Sequence, residues 1–288
     1  MELSCALGDY SHTEALKQGK VHSERITLDF KSYSPVNRAF KPMATDLAFD
    51  VSELAYVTYM LALDFGRPFV GVPITIMRQP VFPMLVTRKD SKISGPKDLE
   101  GLILGVRAYS QTSGAWVRGI IADQYDVDLS TLRWVTQEGA HVDEYVDPSS
   151  CRRDESGRSL LDLLLSGEVD AAIGIDGSNT NPDLRTVIPG ADAAEAAWTA
   201  KTGIASVNHT VVVQRQVLDP NPWLRNELYS VLNESRALGV NAPPPANGQI
   251  GGKFGLNPNR VSIDTLARYA FEQQITRQLY SADELFPS

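Results

Sequence analysis

The sequence predicts an α/β fold built on a mainly parallel sheet. Two observations predict it. Short apolar runs alternate with amphipathic stretches along nearly the whole chain, as they do where parallel strands are covered by helices on both faces. The junctions between run and stretch carry small or polar residues: Gly8-Asp9-Tyr10, Asp50 to Glu53, Arg107 to Ser113 and Gly174 to Asp176. In sheets of this kind ligands sit off the carboxyl ends of strands, where helices begin. With 288 residues, 43% of them hydrophobic, the chain can form a sizeable core, and at this length cores tend to split in two.

The elements follow in order. Leu3 to Leu7 reads as a strand, a polar helix comes next, and Ile26 to Phe30 reads as the second strand. A short strand, Leu47 to Phe49, leads into a helix that starts at Asp50-Val51-Ser52-Glu53. Leu54, Val57, Leu61 and Phe65 share one stripe of it, and Gly66 suits the position just past its end. Phe69 to Ile76 and Val81 to Arg88 read as strands, and the turn-rich residues 94–101 precede a buried strand, Leu102 to Val106. A helix capped near Gln111 turns Val117, Ile120 and Ile121 inward, and Leu132 to Thr136 is the next strand. Residues 146–158 and 177–183 read as loops around a short helix, Ser159 to Leu165, and a strand, Ala171 to Ile175. Thr210 to Gln214 is a strand. Leu224, Leu228, Val231 and Leu232 stripe a helix that Pro222 helps to open and Gly239 stops. Residues 241–252, with Pro243-Pro244-Pro245, read as a loop before a last helix over Ser262 to Gln274.

Charge and motifs narrow the function. The formal net charge is −8, and the Lys and Arg residues are scattered. Nucleic acid and lipid surfaces both select clustered basic residues, so neither is expected as a partner. Cys5 and Cys151 allow one disulfide but fit two reduced thiols better. The opening MELSCALGDY has no basic, apolar or cleavage region, and no run of about 18 apolar residues occurs, so the expectation is a cytoplasmic protein without a membrane span. There is no HxxxH, CxxC or HExxH, no phosphate loop, no dinucleotide fingerprint and no GxSxG elbow. No metal or cofactor is therefore expected, and the partner is a small molecule. A homo-oligomer is left open.

Several segments resemble known proteins. "DLEGLILGVRAY", "SQTSGAWVRGI" and "LLSGEVDAAIG" resemble type II periplasmic binding proteins, in which two α/β lobes joined by hinge strands hold a ligand between them. That resemblance implies crossings at Val86-Thr87 and near Val207-Asn208. One lobe would then be residues 1–87 plus 208–288, the other 88–207. "ALGDYSHTEAL", "FDVSELAYVTYMLAL", "EGAHVDEY", "NHTVVV" and "RYAFEQQIT…ELF", spread from Ala6 to Phe286, are similar to 4,5-dihydroxyphthalate decarboxylases. This likeness implies a cofactor-independent carboxy-lyase that turns a hydroxylated aromatic diacid into CO2 and, for that substrate, protocatechuate.

The chemistry asks for a proton donor to the ring carbon, a group to hold or deprotonate the phenol, and an anchor for the remaining carboxylate. His209, and after it His141, are the candidate donors, being histidines at a proposed crossing and in a loop after a strand. Glu53 would engage the hydroxyls, although an acid in a first helical turn also simply complements the helix dipole. Arg78 or Arg107 would clamp a carboxylate, and Gln111, Thr112 and Ser113 would offer backbone N–H groups to it. Asp9, Tyr109 and Asp176 complete the expected cleft wall; Arg118 is assigned to structure, and His12 and His22 to the surface. The rival reading is a solute-binding protein of an importer for a small organic anion. The fold does not decide between the two. A pair of histidines facing the pocket and the lack of an export signal favour the enzyme.

Overall fold

The computed structural model describes residues 1–239 and 251–287. Its strands β1 to β11 are, in order, Glu2–Ala6, Thr27–Phe30, Val51–Ala55, Phe69–Arg78, Leu85–Arg88, Ile103–Val106, Arg133–Thr136, Cys151–Arg153, Ala171–Ile173, Leu184–Thr186 and Val207–Gln214. The α-helices α1 to α10 are Ser11–Lys17, Phe40–Asp46, Tyr56–Asp64, Thr112–Tyr125, Leu160–Leu165, Ala191–Thr202, Arg215–Leu218, Leu224–Gly239, Arg260–Glu272 and Ala282–Leu285. Most of the proline-containing loop read at 241–252 lies outside the described residues. Among the described residues no helix is long and apolar enough to cross a membrane.

The strands form two sheets, β2-β1-β3-β11-β4 and β10-β5-β9-β6-β7-β8. Each has a parallel part, β2-β1-β3 in the first and β9-β6-β7-β8 in the second. The antiparallel strands flank the two places where the chain changes sheet, between Arg78 and Leu85 and between Thr186 and Val207. Val86 and Thr87 pair within the second sheet, and Val207 already pairs within the first. One carboxylate ties both crossings: Glu195 of α6 accepts the N–H groups of Val81 and Phe82 and the hydroxyl of Ser206, each at 2.9 Å.

Several local readings need correction, among them the strand read at Leu47 to Phe49, where the chain leaves α2 through a left-handed Leu47. Val51–Ala55 is a strand, and the helix starts only at Tyr56. All five residues of β3 are buried between β1 and β11, so its sequence lacks the alternation of a half-exposed strand, and Glu53 within it imitates a first-turn acid. The polar stretch 146–158 contains the edge strand β8, paired with β7 through backbone groups that need no apolar side chain. His12 is not a surface residue; it is 7% exposed and stacks on Tyr10 at 4.9 Å. The strand β10 and the alanine-rich helix α6 stand where no element was expected.

Candidate active site

A cleft of about 1000 Å³ runs between the sheets. The first sheet brings Gly8-Asp9-Tyr10 from the end of β1, Thr58 from α3, and Asn208 and His209 from β11. The second brings Arg107, Gln111, Thr112, Ser113, His141 and Asp176 from the ends of its strands.

His209 is the best-supported group. Its Nδ1 lies 2.6 Å from Oε1 of Glu53, whose side chain is fully buried one strand away. The same carboxylate accepts the Gly8 N–H at 2.8 Å and the Tyr10 hydroxyl at 2.7 Å. A carboxylate only accepts, so Nδ1 of His209 carries its hydrogen and Nε2 is left for the cleft. Burial, and then the nearby Glu53 charge, raise the pKa of Tyr10, which keeps it a donor. A Cβ on residue 8 would stand 2.5–2.7 Å from the Tyr10 ring and hydroxyl, so glycine is what lets that ring lie over the carboxylate.

His141 sits in a different environment. Its Nδ1 is 2.9 Å from the hydroxyl of Thr58, across the cleft from the loop that carries it. Burial first, then the charges of Arg107, His209 and Lys41, lower its pKa to about 4. At neutral pH it is an uncharged imidazole. Phe40 presents its ring edge-on to both histidines, at 4.9 Å from His209 and 5.8 Å from His141. The loop carrying His141 also reaches α2 through Lys41–Asp143 at 2.6 Å and the turn after α3 through one terminal nitrogen of Arg67, which meets both Glu144 oxygens at 2.8 and 3.0 Å.

Helix α4 points its N-terminus into this space, where Thr112 and Ser113 line the cleft. Gln111, at the cap position, makes no side-chain cap; its amide donates instead to Ser113 Oγ at 2.9 Å. Uncapped first-turn N–H groups at a positive dipole end suit an anionic group. The Oε1 of Gln111 is buried with no partner among the described residues and can accept from a ligand hydroxyl.

The cleft thus gathers Asp9, Arg107, Gln111, Thr112, Ser113, His141, Asp176 and His209, but not every candidate. Glu53 lies behind His209, fully buried outside the cleft wall and held by three protein donors, so it does not meet a substrate hydroxyl directly. Arg78 ends β4 outside the wall; burial lowers its pKa, opposed by Glu195. Tyr109 lies with its face 4.0 Å from the Arg118 guanidinium, also outside the wall. Arg107 does line the cleft but shares its charge with Glu138. Asp9 is mostly exposed and pairs with Lys17 at 2.5 Å. Tyr10, Thr58 and Phe40 were not among the candidates. Tyr10 lay in a junction already marked as a strand end, and that was the available signal.

No family model matches the chain. A 4,5-dihydroxyphthalate decarboxylase of Comamonas testosteroni is 26% identical over 254 residues, 83% of this chain and 76% of that one. The aliphatic sulphonate binding protein SsuA of Escherichia coli superposes with a TM-score of 0.60 at 12% identity, covering 99% of this chain and 95% of its own. The alkanesulfonate-binding protein SsuA of Xanthomonas axonopodis pv. citri, bound to MOPS, gives 0.58 at 11% identity, with 99% and 97% covered. The chain has the two-sheet α/β fold of SsuA-type periplasmic binding proteins. Among the described residues no group of three or more His, Cys, Asp or Glu side chains could hold a metal ion.

Proposed function

We propose that the chain is a carboxy-lyase that removes CO2 from a hydroxylated aromatic dicarboxylate, such as 4,5-dihydroxyphthalate, in the cleft between the sheets. The observation that carries this reading is the buried Glu53–His209 pair, with Nε2 of His209 left for the cleft. A cleft that only binds an anion needs donors and positive charge; it has no need of an imidazole backed by a carboxylate in the interior. The decarboxylase likeness over 83% of the chain points the same way.

In this reading one ring carboxylate lies at the first turn of α4 and the departing one faces His209. Protonated His209 gives its Nε2 hydrogen to the ring carbon that bears the departing carboxylate. The hydroxyl para to that carbon passes its proton to water in the cleft and becomes a carbonyl, which neutralises the positive charge that protonation put on the ring. The C–C bond then breaks, its electron pair restores the aromatic ring, CO2 leaves, and the phenolic oxygen takes a proton back. Each turnover consumes one proton, which His209 recovers from solvent. Glu53 stabilises the imidazolium and fixes the ring by holding Nδ1–H, and neutral His141 hydrogen-bonds a ring hydroxyl. The chemistry needs no organic electron sink.

The rival is solute capture, favoured by a specific observation: the uncapped α4 terminus is a ready anion seat, and two of the similar solved structures are sulphonate-binding proteins. Single-turnover CO2 release from hydroxylated phthalates, run beside calorimetric binding, separates the two. Release that follows binding supports the lyase. Tight binding with no release sinks it and leaves the receptor.

A further inference from the structure

Arg118 is the most deeply buried cation among the described residues, with no exposed surface. It forms no ion pair there. Its Nε donates to the Gln273 side-chain oxygen at 2.6 Å, one terminal nitrogen donates to the Tyr109 carbonyl at 2.5 Å, and the other has no partner. The faces of Tyr109 and Trp134 lie 4.0 and 5.1 Å from the guanidinium carbon. Asp147, the acid in its surroundings, is committed to Arg153 at 3.2 Å. Burying an ion is costly and is normally repaid by an opposite charge in contact. Here the contacting groups are neutral, and Asp147, shared with Arg153, offsets the positive charge only in part.

The position of that charge gives it a use. Helical side chains lean toward the N-terminus, and Arg118 does so: its unpartnered nitrogen would stand 3.2 Å from a Cβ on Gly114, one turn earlier. The carbonyl it holds belongs to Tyr109, just before the cap residue Gln111. The guanidinium therefore lies behind the first turn of α4, the turn whose Thr112 and Ser113 line the cleft. Arginine keeps its proton even when burial lowers its pKa. We infer that Arg118 is a specificity-determining residue: its incompletely compensated charge, with no ion-pair partner in contact, strengthens the helix terminus as an anion seat and makes the cleft prefer a doubly charged aromatic diacid to its singly charged monoamide. This rests on the dicarboxylate reading of the cleft above.

The test uses phthalate and phthalamate, its monoamide, which are close in shape, differ by one charge, and lack the para hydroxyl that turnover requires. Calorimetry on the wild type should show phthalate bound more tightly, and the preference should survive 0.5 M salt, because a buried charge is poorly screened. Gln273→Glu places a carboxylate against Arg118 but gives up the Gln273 amide's hydrogen bond to the Ala115 carbonyl; Gln273→Met, which loses the same bond without adding charge, is its control. Gln273→Glu should cut phthalate affinity at least about tenfold and phthalamate affinity much less. Arg118→Met should do the same. A purely structural role predicts a different pattern: equal losses for both compounds in Arg118→Met, and no greater loss in Gln273→Glu than in Gln273→Met. That pattern, or a wild-type preference erased by salt, overturns the inference alone. A wild type that binds neither compound overturns the inference together with the dicarboxylate reading. If Gln273→Glu does not fold, Arg118→Met and the wild-type salt series decide.

Discussion

The two histidines of the cleft are the same residue in opposite circumstances. His209 stands on a strand in the middle of the first sheet, and its inner nitrogen faces a carboxylate that is fully buried. His141 stands on a loop, its inner nitrogen faces a neutral hydroxyl, and Arg107 and Lys41 add positive charge around it. A carboxylate in contact stabilises an imidazolium, whereas burial near cations opposes one. The lesson is that a cleft histidine's part in the chemistry is read from what holds its far nitrogen. In the proposed reaction the first ring gives the proton, and the second stays neutral and holds a hydroxyl.

The sharpest way to break this comparison is to remove the proton donor. His209→Gln should lower single-turnover CO2 release by about 10²–10⁴ while calorimetric affinity for phthalate stays within about tenfold. A rate near wild type would place the proton elsewhere. Glu53→Gln keeps size and removes charge. It should lower kcat by about 10²–10³ with KM little changed, because the imidazolium loses its counter-charge and the ring its orienter. Equal losses in kcat and in folding stability would make Glu53 merely structural.

His141 offers a different measurement. In the unfolded chain it takes a proton near pH 6.5, whereas in the fold it resists protonation until about pH 4. The unfolded state therefore binds more protons between these values. The stability owed to neutral His141 is complete above pH 6.5 and is lost as pH falls toward 4, by on the order of 3 kcal/mol. His141→Gln should flatten that part of the stability curve in urea titrations and lower kcat only about tenfold. A curve of unchanged slope would show that His141 is not held neutral. The smallest effect is expected from Tyr10→Phe, which removes one of three donors to Glu53 and should cost about threefold to tenfold in kcat. A loss as large as that of Glu53→Gln would mean that the hydroxyl itself meets the substrate.

Much of the fold was legible because burial leaves a mark on local composition. The apolar stripe Leu224, Leu228, Val231 and Leu232 and the uninterrupted run before Arg107 fixed α8 and β6 closely. Legibility failed where an element's stability comes from elsewhere. Strand β3 is buried on both faces and contains an acid whose partners lie 45 residues before it and 156 after it. Strand β8 is a polar edge held by backbone pairing. The site divides in the same manner. Residues acting from their own strand end, such as His141, Gln111 and Asp176, could be named from position, and they line the cleft. Glu53 was named for the wrong contact and Tyr10 was not named, because both act through a carboxylate network that no short window of sequence displays.

The close approach at Gly8 has a consequence for reading other genomes. A methyl there would meet the far end of the Tyr10 ring, so a larger residue at position 8 would shift that hydroxyl away from the buried acid that holds the imidazole. Under the proposed reaction, the places of Gly8, Tyr10, Glu53 and His209 are the four to compare across chains of this fold. Chains that keep all four would be sorted as carrying the acid–imidazole pair. Chains that keep the anion seat at α4 but have lost the glutamate would be sorted as binders. Overall similarity, at 11–12% identity to the sulphonate-binding proteins, is too faint to make that division.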